Sequence, residues 1–152
     1  MTNPLLTPST LPYQLPPFAD FKVEHYRPAF DEALALHDAE IATITDNPAA
    51  PTWENTVEAL ERSGQDLDRV IAVFSNLSGT DVTDEMEEIA ADIYPRLSAH
   101  YDAVYQNEVL YARIKEATPP ADDAEGQRLH DHLLRTFARK GADLDAAGKA
   151  RL

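Results

Sequence analysis

The sequence predicts an all-α protein of antiparallel helices joined by short loops, preceded by an extended proline-rich arm. Two observations carry that expectation. Apolar residues recur at spacings of three and four from Tyr26 to Phe137, the period of a helix face. Capping residues, glycines and prolines interrupt the pattern at helix-length intervals, and no segment reads as a strand or as an internal repeat.

The arm comes first. In residues 1–23, Pro4, Pro8, Pro12, Pro16 and Pro17 disfavour helix and favour extended backbone. Leu5, Leu6, Leu11, Tyr13, Leu15, Phe18 and Phe21 are interleaved with them, more apolar anchors than a disordered leader carries. The expected structure is an arm packed across a larger body.

Residues 24–152 read as a helical segment, with helices expected at about 24–46, 52–78, 83–105, 107–117, 122–140 and 144–152. The first has a stripe of Tyr26, Phe30, Ala33, Leu34, His37, Ile41 and Ile44, and Pro28 must lie in its first turn, where a missing N–H is harmless. Asn47-Pro48 ends it. Thr52 caps the second, whose stripe of Trp53, Val57, Leu60, Gly64, Leu67, Val70, Phe74 and Leu77 keeps phase through Gly64. One continuous helix is therefore expected, with a glycine where another backbone crosses; a break at Ser63-Gly64 is the alternative.

A turn at Gly79-Thr80-Asp81 leads to Thr83, which caps a helix carrying Met86, Ile89, Ile93, Leu97, His100 and Val104. Pro95 lies inside that pattern, and the unbroken phase predicts a kinked but continuous helix. Asn107 caps a short helix that Pro119-Pro120 ends. Asp122 or Asp123 opens the next, along Leu129, Leu133 and Phe137, and Gly141 stops it. The segment 144–152 restarts a helical pattern too short to be stable alone.

With 152 residues, the chain has the length of one ordinary domain with a single core. Its net charge of -14 would repel phosphate backbones and anionic lipid, so neither nucleic acid nor membrane is expected as a partner. It contains no cysteine, which excludes disulfides, thiolate metal sites and a cysteine nucleophile. The first 20 residues contain five prolines and lack both a basic stretch and an apolar run, and nothing elsewhere has the length of a membrane span. The expected location is the cytoplasm.

The search for chemistry is negative. A zinc peptidase helix needs His-Glu-x-x-His, and none of the five histidines, His25, His37, His100, His130 and His132, is followed by glutamate. His37 and His100 fall on apolar stripes, where packing is the expected role; His130 and His132, two apart on a helix, point to different faces. Glu54, Glu58 and Glu61, and more loosely Asp84, Glu87, Glu88 and Asp92, form acidic ridges that read as solvated surface. Calcium-loop, phosphate-loop, dinucleotide and nucleophile-elbow signatures are absent. No catalytic, cofactor-binding or metal residue is assigned.

The strings themselves resemble a known family. Asn3-Pro-Leu-Leu, Leu11-Pro-Tyr, Pro16-Pro-Phe, Glu24-His-Tyr-Arg-Pro-Ala-Phe and Pro51-Thr-Trp-Glu-Asn-Thr-Val-Glu-Ala-Leu-Glu-Arg-Ser-Gly64 are similar to the amino-terminal region of the thimet-oligopeptidase family. Within it they resemble the bacterial branch of dipeptidyl carboxypeptidase and oligopeptidase A. The likeness continues through Phe74-Ser-Asn-Leu77, Pro95-Arg-Leu-Ser-Ala-His100 and Gly141-Ala-Asp-Leu144 to Lys149-Ala-Arg-Leu152, and is looser over 122–137.

The resemblance implies a cytoplasmic zinc oligopeptidase that hydrolyses short peptides in a deep channel, with its zinc motif far downstream of this segment. It also implies that these first helices help to wall the channel, and that their partners are the absent C-terminal catalytic region and the peptides it cleaves. No catalytic position of the family falls on a residue here. From a different class, a free-standing helical protein-interaction module fits the same composition.

Overall fold

A computed structural model describes residues 3–80, 82–149 and 151 of the chain. Among them there is no strand, and the protein is all-α. The principal helices are α1 (Tyr26–Thr45), α2 (Ala59–Arg62), α3 (Gln65–Thr80), α4 (Asp84–Tyr105), α5 (Glu108–Glu116), α6 (Ala124–Arg139) and the short α7 (Ala146–Lys149). A π-helical turn, Trp53–Glu58, runs directly into α2. Of the segment expected to be helical over 144–152, Ala150 and Leu152 lie outside the described residues, as do Met1, Thr2 and Asp81.

The single core expected from length is replaced by two compact units, Met1–Ala39 with Gly64–Ser98, and Glu40–Ser63 with Ala99–Leu152. The reason lies in helix length. α1 and α4 have 20 and 22 residues, about 30 Å each at 1.5 Å per residue, so each contributes one end to either unit.

In the first unit Tyr26, Ala29, Phe30 and Ala33 of α1, Leu67, Val70 and Phe74 of α3, and Met86, Ile89 and Ile93 of α4 are all buried. Phe74 is the centre: its ring lies edge-on to Tyr26 at 5.2 Å and to Phe30 at 5.4 Å, and 6.0 Å from Tyr94. α4 continues unbroken through Pro95. Thr83 Oγ1 accepts from Met86 N at 3.2 Å, the expected cap. The turn expected at Gly79-Thr80 is still helix, the last two residues of α3.

The arm is extended only in part. It folds into 3-10 turns at Pro4–Leu6, Pro12–Gln14, Phe18–Asp20 and Val23–His25. Pro4 and Pro12 open two of these turns, where a preset φ helps and the absent N–H is not needed. The arm is anchored at several points. Leu5 is fully buried, Asn3 Nδ2 donates to His25 O at 2.8 Å, and Arg69 Nη1 reaches Leu6 O at 3.4 Å.

The long helix expected through Gly64 is two helices. Ser63 leaves α2 in an extended conformation, and Gly64 takes φ +75° before its carbonyl accepts the first bond of α3 from Asp68 N at 2.8 Å. What approaches Gly64 is the imidazole of His37 rather than a crossing backbone: a Cβ here would lie 3.3 Å from Nε2 and Cε1. Gly64→Ala is expected to lower stability by about 1–2 kcal/mol, because a left-handed backbone brings Cβ against the following carbonyl. An unchanged melting midpoint would mean that the turn does not hold this conformation.

The second unit has its own core, in which Ile41, Ile44, Val57, Val104, Leu110, Ile114, Leu133 and Phe137 are buried together. Tyr111 stacks on Phe137 at 5.9 Å. Asn107 Oδ1 caps α5 through Leu110 N at 2.9 Å, and Asp123 Oδ1 caps α6 through Gly126 N at 2.9 Å. Gly141, at φ +93°, ends α6 as expected: its N–H bonds Ala138 O at 3.1 Å, and Ala142 N bonds Phe137 O at 3.0 Å. That pair of bonds is the Schellman motif.

Candidate functional site

A densely bonded polar cluster lies at the start of the π-helical turn. Thr52 and Asn55 form a reciprocal cap: Asn55 N donates to Thr52 Oγ1 at 3.1 Å, and Thr52 N to Asn55 Oδ1 at 2.9 Å. Asn55 Nδ2 donates to Ala50 O at 2.9 Å, and the buried Thr56 hydroxyl donates to Asn55 Oδ1 at 2.8 Å.

Arg113, on α5, joins this cluster with its side chain almost wholly buried. Its Nη1 donates to Asn47 O at 3.0 Å and Ala49 O at 3.3 Å, and its Nη2 to Asn55 Oδ1 at 3.3 Å. Nε has no partner. The guanidinium sits just past the carbonyl end of α1, where the helix dipole favours a cation. This cluster closes the connection between α1 and the π-helical turn. It presents no pair of groups arranged as nucleophile and base.

Beside it an open groove of about 380 Å³ is lined by Trp53, Val57 and Leu129, with Glu58, Glu61, Asp123 and Glu125 around it. Three of its polar groups are engaged in structure: Glu58 pairs with Arg62 at 2.5 Å, and Asp123 caps α6. The Glu54 carboxyl is held below the usual carboxylate range by its own backbone N–H and then by the Thr52 hydroxyl. Glu108 is held down by its hydrogen bond and charge pairing with Lys149 at 2.6 Å. Both carboxylates favour the folded state above their unfolded pKa, and that contribution fades as pH falls through the lower folded value.

His25 Nδ1 accepts from Lys22 N at 3.1 Å, and His37 is buried beneath Gly64. His130 Nε2 lies 2.7 Å from Ile114 O, so that nitrogen carries the proton; its ring is edge-on to Trp53 at 6.2 Å. His132 Nε2 is 3.5 Å from Thr136 Oγ1, and the His100 ring lies 5.5 Å from that of Tyr101. Among the described residues no three His, Asp or Glu side chains converge as a metal site requires.

Sequence reading placed Thr52 correctly as a cap but missed Asn55 and Arg113. The available signal was Thr-x-x-Asn at capping-box spacing, with asparagine in place of the commoner Glu or Gln. A buried arginine on a short amphipathic helix leaves no such mark.

Among the described residues the architecture is one of capped helices and turns. Comparison with known proteins shows its kind: the chain is homologous to the amino-terminal segment of thimet-oligopeptidase-family enzymes. It is 40% identical over 155 aligned residues to dipeptidyl carboxypeptidase of Salmonella typhimurium, covering 99% of this chain and 23% of that protein. Dipeptidyl carboxypeptidase of Escherichia coli is 38% identical over 154 residues, again 99% of this chain and 23% of that one. Oligopeptidase A of Salmonella typhimurium is 35% identical over 148 residues, 95% of this chain and 21% of the relative. The chain thus spans less than a quarter of the length of these relatives. No family model matches it. No helix of the described residues is long and apolar enough to cross a membrane.

Proposed function

We propose that the chain is the non-catalytic, amino-terminal helical region of a cytoplasmic zinc oligopeptidase of the peptidyl-dipeptidase type, which hydrolyses short peptides. One observation carries the reading: 40% identity across 99% of the chain to a protein of which it covers 23%. On this reading the zinc ligands and the water-activating glutamate lie beyond Leu152, because no histidine here is followed by glutamate. The helices form part of the wall that limits access to the catalytic channel.

The test is the coding DNA downstream of the Leu152 codon. An in-frame His-Glu-x-x-His within several hundred codons is the expected result. A stop codon directly after Leu152 would instead favour a free-standing helical interaction module. The 152-residue chain alone is expected to leave quenched short peptides uncleaved; hydrolysis that a chelator abolishes would overturn the placement of the chemistry elsewhere.

A further inference from the structure

We propose that the outer face of arm residues 11–18 is the surface on which the downstream part of the same polypeptide docks, an inference that rests on the reading of this chain as the amino-terminal region of a longer peptidase. Four large apolar side chains are exposed within these eight residues: Leu11 at 46%, Tyr13 at 96%, Leu15 at 56% and Phe18 at 46%. A single exposed leucine needs no explanation; a cluster of this kind marks an interaction surface.

The cluster is not a loose tail. Ser9 Oγ donates to Leu15 O at 2.5 Å and accepts from Leu11 N at 3.2 Å, which ties the loop across its base. The inner face of the arm lies over α3 around a cavity of about 220 Å³ lined by Pro8, Pro16, Phe21, Arg69 and Val73. Part of the arm is therefore held against its own unit while Leu11, Tyr13, Leu15 and Phe18 stay exposed.

Charge and length choose the occupant. The arm carries no charged side chain before Asp20, within a chain of net charge -14. A second copy would bring a like charge of the same size, and an anionic lipid surface would be repelled, since the arm offers no lysine or arginine. The relatives extend over more than four times the aligned length, so most of such a polypeptide is available to cover the arm.

The test is photo-crosslinking in the full-length protein, with benzoylphenylalanine in place of Tyr13 and, in a second variant, of Phe18, followed by mass spectrometry of the adducts. The expected adduct joins the probe to a peptide beyond residue 152 of the same chain. A crosslinked dimer, adducts confined to residues 1–152, or no adduct from either position would overturn the docking surface while leaving the peptidase reading intact. A gene that stops at Leu152 removes that reading first and the surface with it, a result visible before any protein is made.

Discussion

Phe74→Ala is expected to destabilise the protein by about 3–5 kcal/mol, the range for removing a fully buried aromatic ring from a core that cannot collapse around the gap. Three rings pack on Phe74, from Tyr26 and Phe30 on α1 and Tyr94 on α4. Alanine would leave those rings facing a void, and helices tied by caps and by the Arg27–Asp92 and Arg96–Asp31 ion pairs cannot shift freely to fill it. Those pairs are half-exposed, so they contribute at most about 1 kcal/mol each and cannot offset the loss. In thermal melting the midpoint should fall by on the order of 10 °C. Phe74→Leu, which keeps most of the volume, should fall by much less. A small shift for alanine would mean that this core is not the one that holds α1, α3 and α4 together.

Arg113→Ala is expected to cost about 2–4 kcal/mol, less than the sum of three charge-assisted hydrogen bonds because burying Nε without a partner already opposes the folded state. The substitution leaves the carbonyls of Asn47 and Ala49 without their donor and removes one of the donors on Asn55 Oδ1. Arg113→Lys separates two explanations. Lysine keeps the charge near the end of α1 but cannot reach three acceptors with a planar fork, so it should recover only part of the loss. Full recovery by lysine in urea titration would reduce the role of Arg113 to charge alone.

The helices were legible because burial repeats with the helix. Tyr26, Phe30, Ala33, Leu34, His37, Ile41 and Ile44 were expected on one face of α1 and all are buried. Caps were legible because they are local: Thr52, Thr83, Asn107 and Gly141 act on residues within a few positions. Gly64 misled for a physical reason. Periodicity records where side chains point, and a two-residue turn at Ser63-Gly64 left the stripe in phase while glycine gave the backbone a left-handed step that no side chain reports.

The arm was read as extended because proline is a poor residue inside a helix. At the first position of a 3-10 turn the same ring is favourable, and Pro4 and Pro12 take that position. The Asn55–Arg113 cluster was not legible at all. Its partners are 58 residues apart in sequence, and only the folded chain brings them together. The family likeness was legible from strings, whereas the spacing of histidines and carboxylates pointed to no chemistry within this segment.

Trp53 is the chain's one tryptophan, and it lies in the second unit, half-buried against His130 at the edge of the π-helical turn. Indole emission therefore follows that unit alone, while the far-ultraviolet circular dichroism of the helices follows both. Superimposable unfolding curves from the two signals would describe one cooperative transition. Separated curves would give each unit its own stability, and every substitution described above could then be assigned to the unit whose curve it moves.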